Sequence, residues 1–129
     1  MFTITLVLAA AAGRPKGDIS DRIVLHAALT QNEMLDPGAH GAVATWPAER
    51  TLPDGTIRPL DLVRVESVWL LRSTRHEDEP FWRVEARSVR PGEYVTLTRP
   101  DGEMLTYRVV GVERHAAEAA DQAEVPPPA

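Results

Sequence analysis

The fold is most legible in Glu93-Tyr94-Val95-Thr96-Leu97-Thr98-Arg99-Pro100-Asp101-Gly102-Glu103-Met104-Leu105-Thr106-Tyr107-Arg108-Val109-Val110-Gly111-Val112. Pro100 presets the backbone angle that a type I turn needs at its first central position. Asp101 suits the second, and Gly102 accepts the left-handed conformation that follows. With Arg99 set against Glu103, the register of a hairpin is fixed. Leu97 then faces Leu105 and Val95 faces Tyr107 on a buried side, while Thr96 faces Thr106 and Tyr94 faces Arg108 on the other. β-Branched and aromatic cross-strand pairs contribute about 0.2 to 1 kcal/mol each.

Upstream of this hairpin the same period of two recurs. Phe81 to Val89 reads as a strand, with Trp82, Val84 and Ala86 alternating against Arg83, Glu85 and Arg87; Arg90, Pro91 and Gly92 then turn the chain. Asp61 to Leu71 reads as one long central strand, with Val63, Val65, Ser67, Trp69 and Leu71 on one face and Leu62, Arg64, Glu66, Val68 and Leu70 on the other. Ser73 to Pro80 is a charged loop. Phe2 to Leu8 is a strand with Phe2, Ile4 and Leu6 on one side, followed by a Gly/Pro-punctuated loop from Gly13 to Asp18.

Asp21 to Thr30 admits two readings. Ile23, Leu25, Ala27 and Leu29 alternate strictly with their neighbours, which favours a strand over a helix capped by Ser20 or Asp18. Asn32 to Leu60 is dense in turn residues. Asp36, Pro37 and Gly38 form one turn; Pro53, Asp54 and Gly55, flanked by Leu52 and Ile57, close a short hairpin. So long a connection in a compact domain is expected to hold short strands or one helical turn.

The expected fold is therefore mainly β: an antiparallel barrel or strongly curved sheet of about six strands, with at most one short helix. Residues 1–113 form the single domain, and the acidic, Ala/Pro-rich segment 114–129 is expected to be disordered, since it cannot bury enough apolar surface to offset its ordering entropy.

Composition bounds the function. The formal net charge is −5. Arg114 against Glu118, Asp121 and Glu124 accounts for −2 of it, leaving −3 on the body. Phosphate neutralisation needs a clustered positive surface, so nucleic acid is disfavoured as a partner. There is no cysteine, which rules out disulfides, zinc thiolates and cysteine nucleophiles. No apolar run approaches the roughly 18 residues that span a bilayer. Ile4 to Ala12 has some character of a signal peptide, but no basic residue precedes it and Thr3 and Thr5 interrupt it, so a retained N-terminus and a cytoplasmic location are expected.

No phosphate loop, His-Glu-x-x-His pair, calcium loop or serine elbow is present. His26, His40, His76 and His115 are far apart in sequence. His76 with Glu77, Asp78 and Glu79 offers a loose cation site or, more simply, a solvated charged loop. No metal and no cofactor are expected. Arg64, Arg72, Arg75, Arg83, Arg87 and Arg90 concentrate in the two central strands and their connection. Interleaved with Glu66 and Glu85 they make an ordinary solvated face; converging, they would line an anion-binding groove, because a guanidinium grips a carboxylate or phosphate through two parallel hydrogen bonds. Trp69 and Trp82 are expected in the core. Trp46, before Pro47 and near His40, is the best candidate for an exposed aromatic, but anchoring of its loop is the favoured reading.

Pro91-Gly92-Glu93-Tyr94-Val95-Thr96-Leu97, the Asp101-Gly102-Glu103 turn and Thr106-Tyr107-Arg108-Val109-Val110 resemble the closing hairpin of small proteobacterial proteins of about this length, which carry a Pro-Gly-Glu-Tyr-Val run, an Asp-Gly turn and a Thr-Phe-Arg-Val-Val run. Ile4 to Leu8 and Val63-Arg64-Val65 are compatible with that pattern. A cysteine is usual in the central run of those proteins, where Leu62 or Val63 stands here. The resemblance implies a mostly β fold and no assigned activity. Sortase-like and signal-peptidase-like barrels have a similar hairpin, but this chain lacks the cysteine of the first, and its sole lysine, Lys16, gives no support to the serine-lysine dyad of the second.

Two functions follow as expectations. The first is a non-enzymatic binding or protein-interaction module, acting by strand addition or through the loop carrying Trp46 and His40. The second is a binding protein for small anions, or an enzyme, with a pocket formed by Arg64, Arg83 and Glu85 and with His26 or His40 as acid-base partner.

Overall fold

The computed structural model describes residues 1–40, 45–75 and 81–114, without the side chains of residues 39 and 40. Eight strands close into one antiparallel barrel in chain order. They are β1 (Phe2–Ala11), β2 (Asp18–Ala27), β3 (Trp46–Thr51), β4 (Ile57–Val65), β5 (Val68–Ser73), β6 (Trp82–Ala86), β7 (Tyr94–Thr98) and β8 (Met104–Arg114), with one helical turn, α1 (Pro37–His40), between β2 and β3. The expected tail lies beyond the described residues except for Arg114, the last residue of β8.

The β7–β8 hairpin has the register expected from its turn: Leu97 faces Leu105, Val95 faces Tyr107, Thr96 faces Thr106 and Tyr94 faces Arg108. Gly102 sits at φ +96°, and Arg99 and Glu103 close the turn through the 2.8 Å bond from the Arg99 amide to the Glu103 carbonyl. Asp21 to Ala27 is strand, and the Pro53-Asp54-Gly55 turn joins β3 to β4.

Asp61 to Leu71 is not one strand. Glu66 and Ser67 both take positive φ, 51° and 70°. They form a two-residue turn after which Val68 pairs back on Val65 and Trp69 on Arg64. A two-residue loop sets residue i opposite i+3 and so inverts the alternation: Leu62 and Leu71, on opposite faces of a single long strand, both point into the core. The inversion is hidden because both faces of this stretch carry apolar residues, so periodicity alone does not reveal the turn. This extra turn and β3 within the middle segment raise the strand number to eight.

An eight-stranded barrel encloses just enough space for its own side chains. Ile4, Leu6, Leu8, Ile23, Leu25, Leu62, Leu71, Leu97, Tyr107 and Val109 are all buried in that core. β1 pairs with β8, which closes the ring and leaves no free sheet edge running its full length. The strand directions define two ends. The turn end carries the β1–β2, β3–β4 and β7–β8 connections. The helix end carries α1, the Glu66-Ser67 turn and the β6–β7 connection, where Leu35 and Val89 are buried as a plug. The Val89 amide donates to the Glu33 carbonyl at 2.9 Å, tying those two connections together. The outer face carries Arg22, Glu49, Asp61, Arg72, Arg83 and Arg108, opposite in parity to the core residues, whereas a lipid-facing barrel presents an apolar band there. Among the described residues no helix is long and apolar enough to cross a membrane.

Candidate functional site

Each end of the barrel carries one feature with binding chemistry. At the helix end, β5 and β6 pair only from Leu71↔Trp82 to Trp69↔Val84. β6 continues to Ala86, held on its other side by β7 through Glu85↔Thr96 and Ala86↔Val95. Where the two strands part, a cleft of about 530 Å³ opens, walled by Met34, Leu35, Trp69 and Tyr94 with Glu85 and Arg87 at its polar side. Its size falls in the range of about 300 to 1,000 Å³ usual for ligand sites. Tyr94 and Met34 are exposed, at 56% and 45%. The Trp69 indole is set by its neighbours: it stacks on Trp46 with centroids 5.5 Å apart and planes 16° from parallel, and the Arg64 guanidinium lies 5.5 Å from its ring centroid.

At the turn end, alternation from the core strands directs a second set of side chains inward. Ile23 on β2 faces Arg50 on β3, which faces Arg58 on β4. Asp21 precedes Ile23 by one inward position and is fully buried. The β1–β2 register skips from Val7↔Arg22 to Leu8↔Asp18, so Ile19, Ser20 and Asp21 bulge opposite a single step of β1. The Asp21 carboxylate accepts four hydrogen bonds. Arg50 donates from Nε to Oδ1 at 3.1 Å and from Nη2 to Oδ2 at 2.9 Å. Arg14 Nη2 donates to Oδ2 at 3.2 Å, and the Tyr107 hydroxyl donates to Oδ1 at 2.8 Å.

Burial works against the charge on Asp21. The hydrogen bonds from Arg50 and Tyr107, with the fields of Arg50 and Arg14, outweigh it and hold the carboxyl below the usual carboxylate range. Burial likewise opposes the Arg50 charge, and Asp21 reverses the balance, so the guanidinium keeps its proton more firmly than usual. Burial, with the Asp21 carboxylate beside it, pushes the Tyr107 phenol above its ordinary value despite the opposing field of Arg50. With no solvent access, Asp21 fits a structural tie rather than a reacting group.

Above this tie Arg50, Arg58 and Arg99 line a small cavity of about 30 Å³, with a floor that includes Ile23, Trp82 and Leu97. Arg99 lies with its guanidinium carbon 4.2 Å from the Trp82 ring centroid.

The residues expected from sequence to form a site are dispersed. Arg83 points outward from β6 and pairs with Glu85 at 3.6 Å, both side chains 55% exposed, as on an ordinary solvated face. Glu85 also borders the helix-end cleft, but Arg83 and Arg64 are not in its lining. Arg64 leaves the solvated face assumed for it: it shares the inward parity of Leu62, at the rim of the barrel, beside Trp69. Trp46 is not an exposed aromatic. It is 2% exposed and belongs to the core, because the short β3 begins at it and pairs it with Leu62. Trp82 is buried and Trp69 packs partly buried against the core, as expected. His40 ends α1, and its side chain is outside the described set; His26 lies on β2, its Nδ1 3.2 Å from the Thr3 hydroxyl. His76, Glu77, Asp78 and Glu79 lie outside the described residues.

Sequence reasoning missed Asp21, Arg50 and Arg99 as residues on the inward face, and Arg58 as a residue of the barrel mouth. A signal existed: Asp21 keeps the parity of Ile23 and Leu25, Arg50 that of Ala48, and Arg99 that of Val95 and Leu97. Charges continuing an apolar face past its end mark a charged barrel mouth.

No protein-family model matches the chain. Comparison with curated proteins finds no match, and neither does comparison with solved structures.

Proposed function

We propose that this protein is a non-enzymatic binding module that takes a short extended segment of a partner protein into the helix-end cleft. The observation that carries this is the parting of β5 and β6 after Trp69↔Val84. It leaves the β6 backbone from Glu85 onward unpaired by β5, directly beside a cleft walled by Trp69, Tyr94 and Met34. A strand backbone beside apolar pockets is the pattern of β-augmentation, in which main-chain hydrogen bonds give affinity and alternate side chains give selectivity. A full-length sheet edge is not required; the opening in an otherwise closed barrel limits the added segment to a few residues. Aromatic rings with one exposed side are frequent anchors at interfaces. Glu85 and Arg87 offer both signs of charge, which favours a segment of mixed polar and apolar residues over a polyanion.

Selection of displayed short peptides on the whole chain tests this. The expected peptides alternate apolar and polar residues, shift the amides of Glu85 to Ser88, and change Trp69 fluorescence. Tyr94→Ala and Met34→Ala, both at exposed positions, are expected to weaken binding at least about tenfold, the size of effect ascribed to interface anchors. Peptides that bind these variants unchanged, or that move amides only elsewhere, overturn the proposal.

A further inference from the structure

We infer that the turn-end mouth is a second, separate binding site, taking a single phosphate group between Arg50, Arg58 and Arg99. Three observations converge on it. Among the described residues the lining of the cavity includes these three arginines and no carboxylate. Arg50 and Arg58 are direct cross-strand partners on β3 and β4, both facing inward. Asp21 offsets the Arg50 charge, and the cross-strand pairing brings the two guanidinium groups to the same mouth. The Arg99 Nε is buried without a hydrogen-bond partner, its nearest carboxylate being Glu103 Oε1 at 3.8 Å. A buried guanidinium N–H without an acceptor is rare in folded proteins and marks a place for an unseen acceptor.

The groups are also held ready. Arg50 is fixed by its two bonds to Asp21, and Arg99 lies against the Trp82 ring. With Nε and Nη2 committed to Asp21, Arg50 keeps its Nη1 hydrogens to donate, and planar guanidinium groups fixed in this way lose little freedom on binding a tetrahedral oxyanion. The Ile23, Trp82 and Leu97 floor keeps the local dielectric low, which strengthens charge-assisted hydrogen bonds. Among the described residues, acid is present nearby but outside the lining: Asp21 is occupied by its four donors, Glu103 lies 3.8 Å from Arg99 on the β7–β8 turn with its side chain half exposed, and Asp54 sits fully exposed on the β3–β4 turn, where it feels the Arg58 charge. The cavity of about 30 Å³ is close to one water molecule's share of liquid volume, so an oxyanion seats an oxygen in it and keeps the rest at the mouth. A free phosphate ion and the phosphate of a monoester therefore meet the same three side chains.

Titration of the whole chain with inorganic phosphate and, separately, methyl phosphate, followed by amide shifts and calorimetry, tests this inference. Saturable binding is expected, with shifts at Arg50, Arg58 and Arg99 and weakening as salt rises. Tighter binding of methyl phosphate points to a phosphorylated molecule as the natural ligand, and tighter binding of phosphate to the free ion. Arg58 is exposed, so Arg58→Gln leaves the fold intact and is expected to weaken binding at least tenfold. Arg99→Lys, which keeps the charge and loses the fork, is expected to weaken it severalfold. The helix-end variant Tyr94→Ala is expected to bind phosphate as the parent does. No saturable shift with either probe, shifts confined to other residues, or equal binding by Arg58→Gln would refute the site.

Discussion

The Tyr107 hydroxyl donates a 2.8 Å hydrogen bond to Oδ1 of Asp21, joining β8 to β2 across the barrel interior from positions 86 residues apart. The same carboxylate takes the Arg50 fork from β3 and Arg14 from the β1–β2 connection. Removing one partner of a buried pair leaves an uncompensated charge, at a cost of about 3 to 5 kcal/mol. Asp21→Ala is therefore expected to lower stability by about that much. Tyr107→Phe removes one neutral donor and is expected to cost about 1 to 3 kcal/mol. Urea unfolding of both variants checks the order; no loss in Tyr107→Phe would show that the carboxylate is held by the arginines alone.

Asp21 also makes stability depend on pH. Its folded-state pKa lies below the unfolded value, so its contribution is complete above the unfolded pKa, near 4, and is lost as pH falls through the folded one. The Tyr107 phenol is shifted the other way, so its contribution is complete below about pH 10, the ordinary value, and declines as pH rises above it. Stability measured from pH 2 to 11 is expected to fall at both limits. In Asp21→Asn the acid limb is expected to flatten; an unchanged acid slope would assign it to other carboxylates.

Gly17 and Gly102 share positive φ, +76° and +96°, but differ in surroundings. A Cβ on Gly102 meets nothing within 4 Å, whereas one on Gly17 runs into the Leu8 carbonyl and the Ala9 backbone. Gly102→Ala is expected to cost about 1 to 2 kcal/mol from conformation alone. Gly17→Ala is expected to cost clearly more, because the β1–β2 connection has to move off β1. Thermal unfolding of the pair gives the comparison, and equal losses would mean that the connection yields freely.

The Glu66-Ser67 turn holds two non-glycine residues at positive φ. Such conformations cost of order 1 to 3 kcal/mol each, and Asn-Gly suits a two-residue hairpin loop of this kind. Replacing Glu66-Ser67 with Asn-Gly is expected to raise stability by about 1 kcal/mol or more. A loss instead would indicate that Glu66 or Ser67 makes a compensating contact.

The β class, the β7–β8 register, the β2 strand and the Pro53-Asp54-Gly55 hairpin were legible because turn chemistry and alternation act between near neighbours. Trp82 and Val84 were correctly assigned to the interior on the same ground. The Glu66-Ser67 turn inverts the phase of alternation, but Leu62, Val63, Leu70 and Leu71 leave both faces of the stretch apolar, so the inversion is hidden and one element stands for two. Nor can alternation say where a face leaves the core for the rim, which is why Arg64 reads as solvated and why Trp46 reads as a loop anchor or an exposed aromatic rather than as the first residue of a core strand.

By itself, then, the chain's local pattern determined which residues pleat, where most turns fall and which side chains face inward. Tertiary structure alone decided that β1 meets β8. That closure brings Asp21, Arg50 and Tyr107 into one hydrogen-bonded group and sets Arg50, Arg58 and Arg99 around one mouth. The physical reason is range. Steric and turn preferences act over a few residues, whereas the partners of a buried charge are chosen by ring closure between segments far apart in the chain.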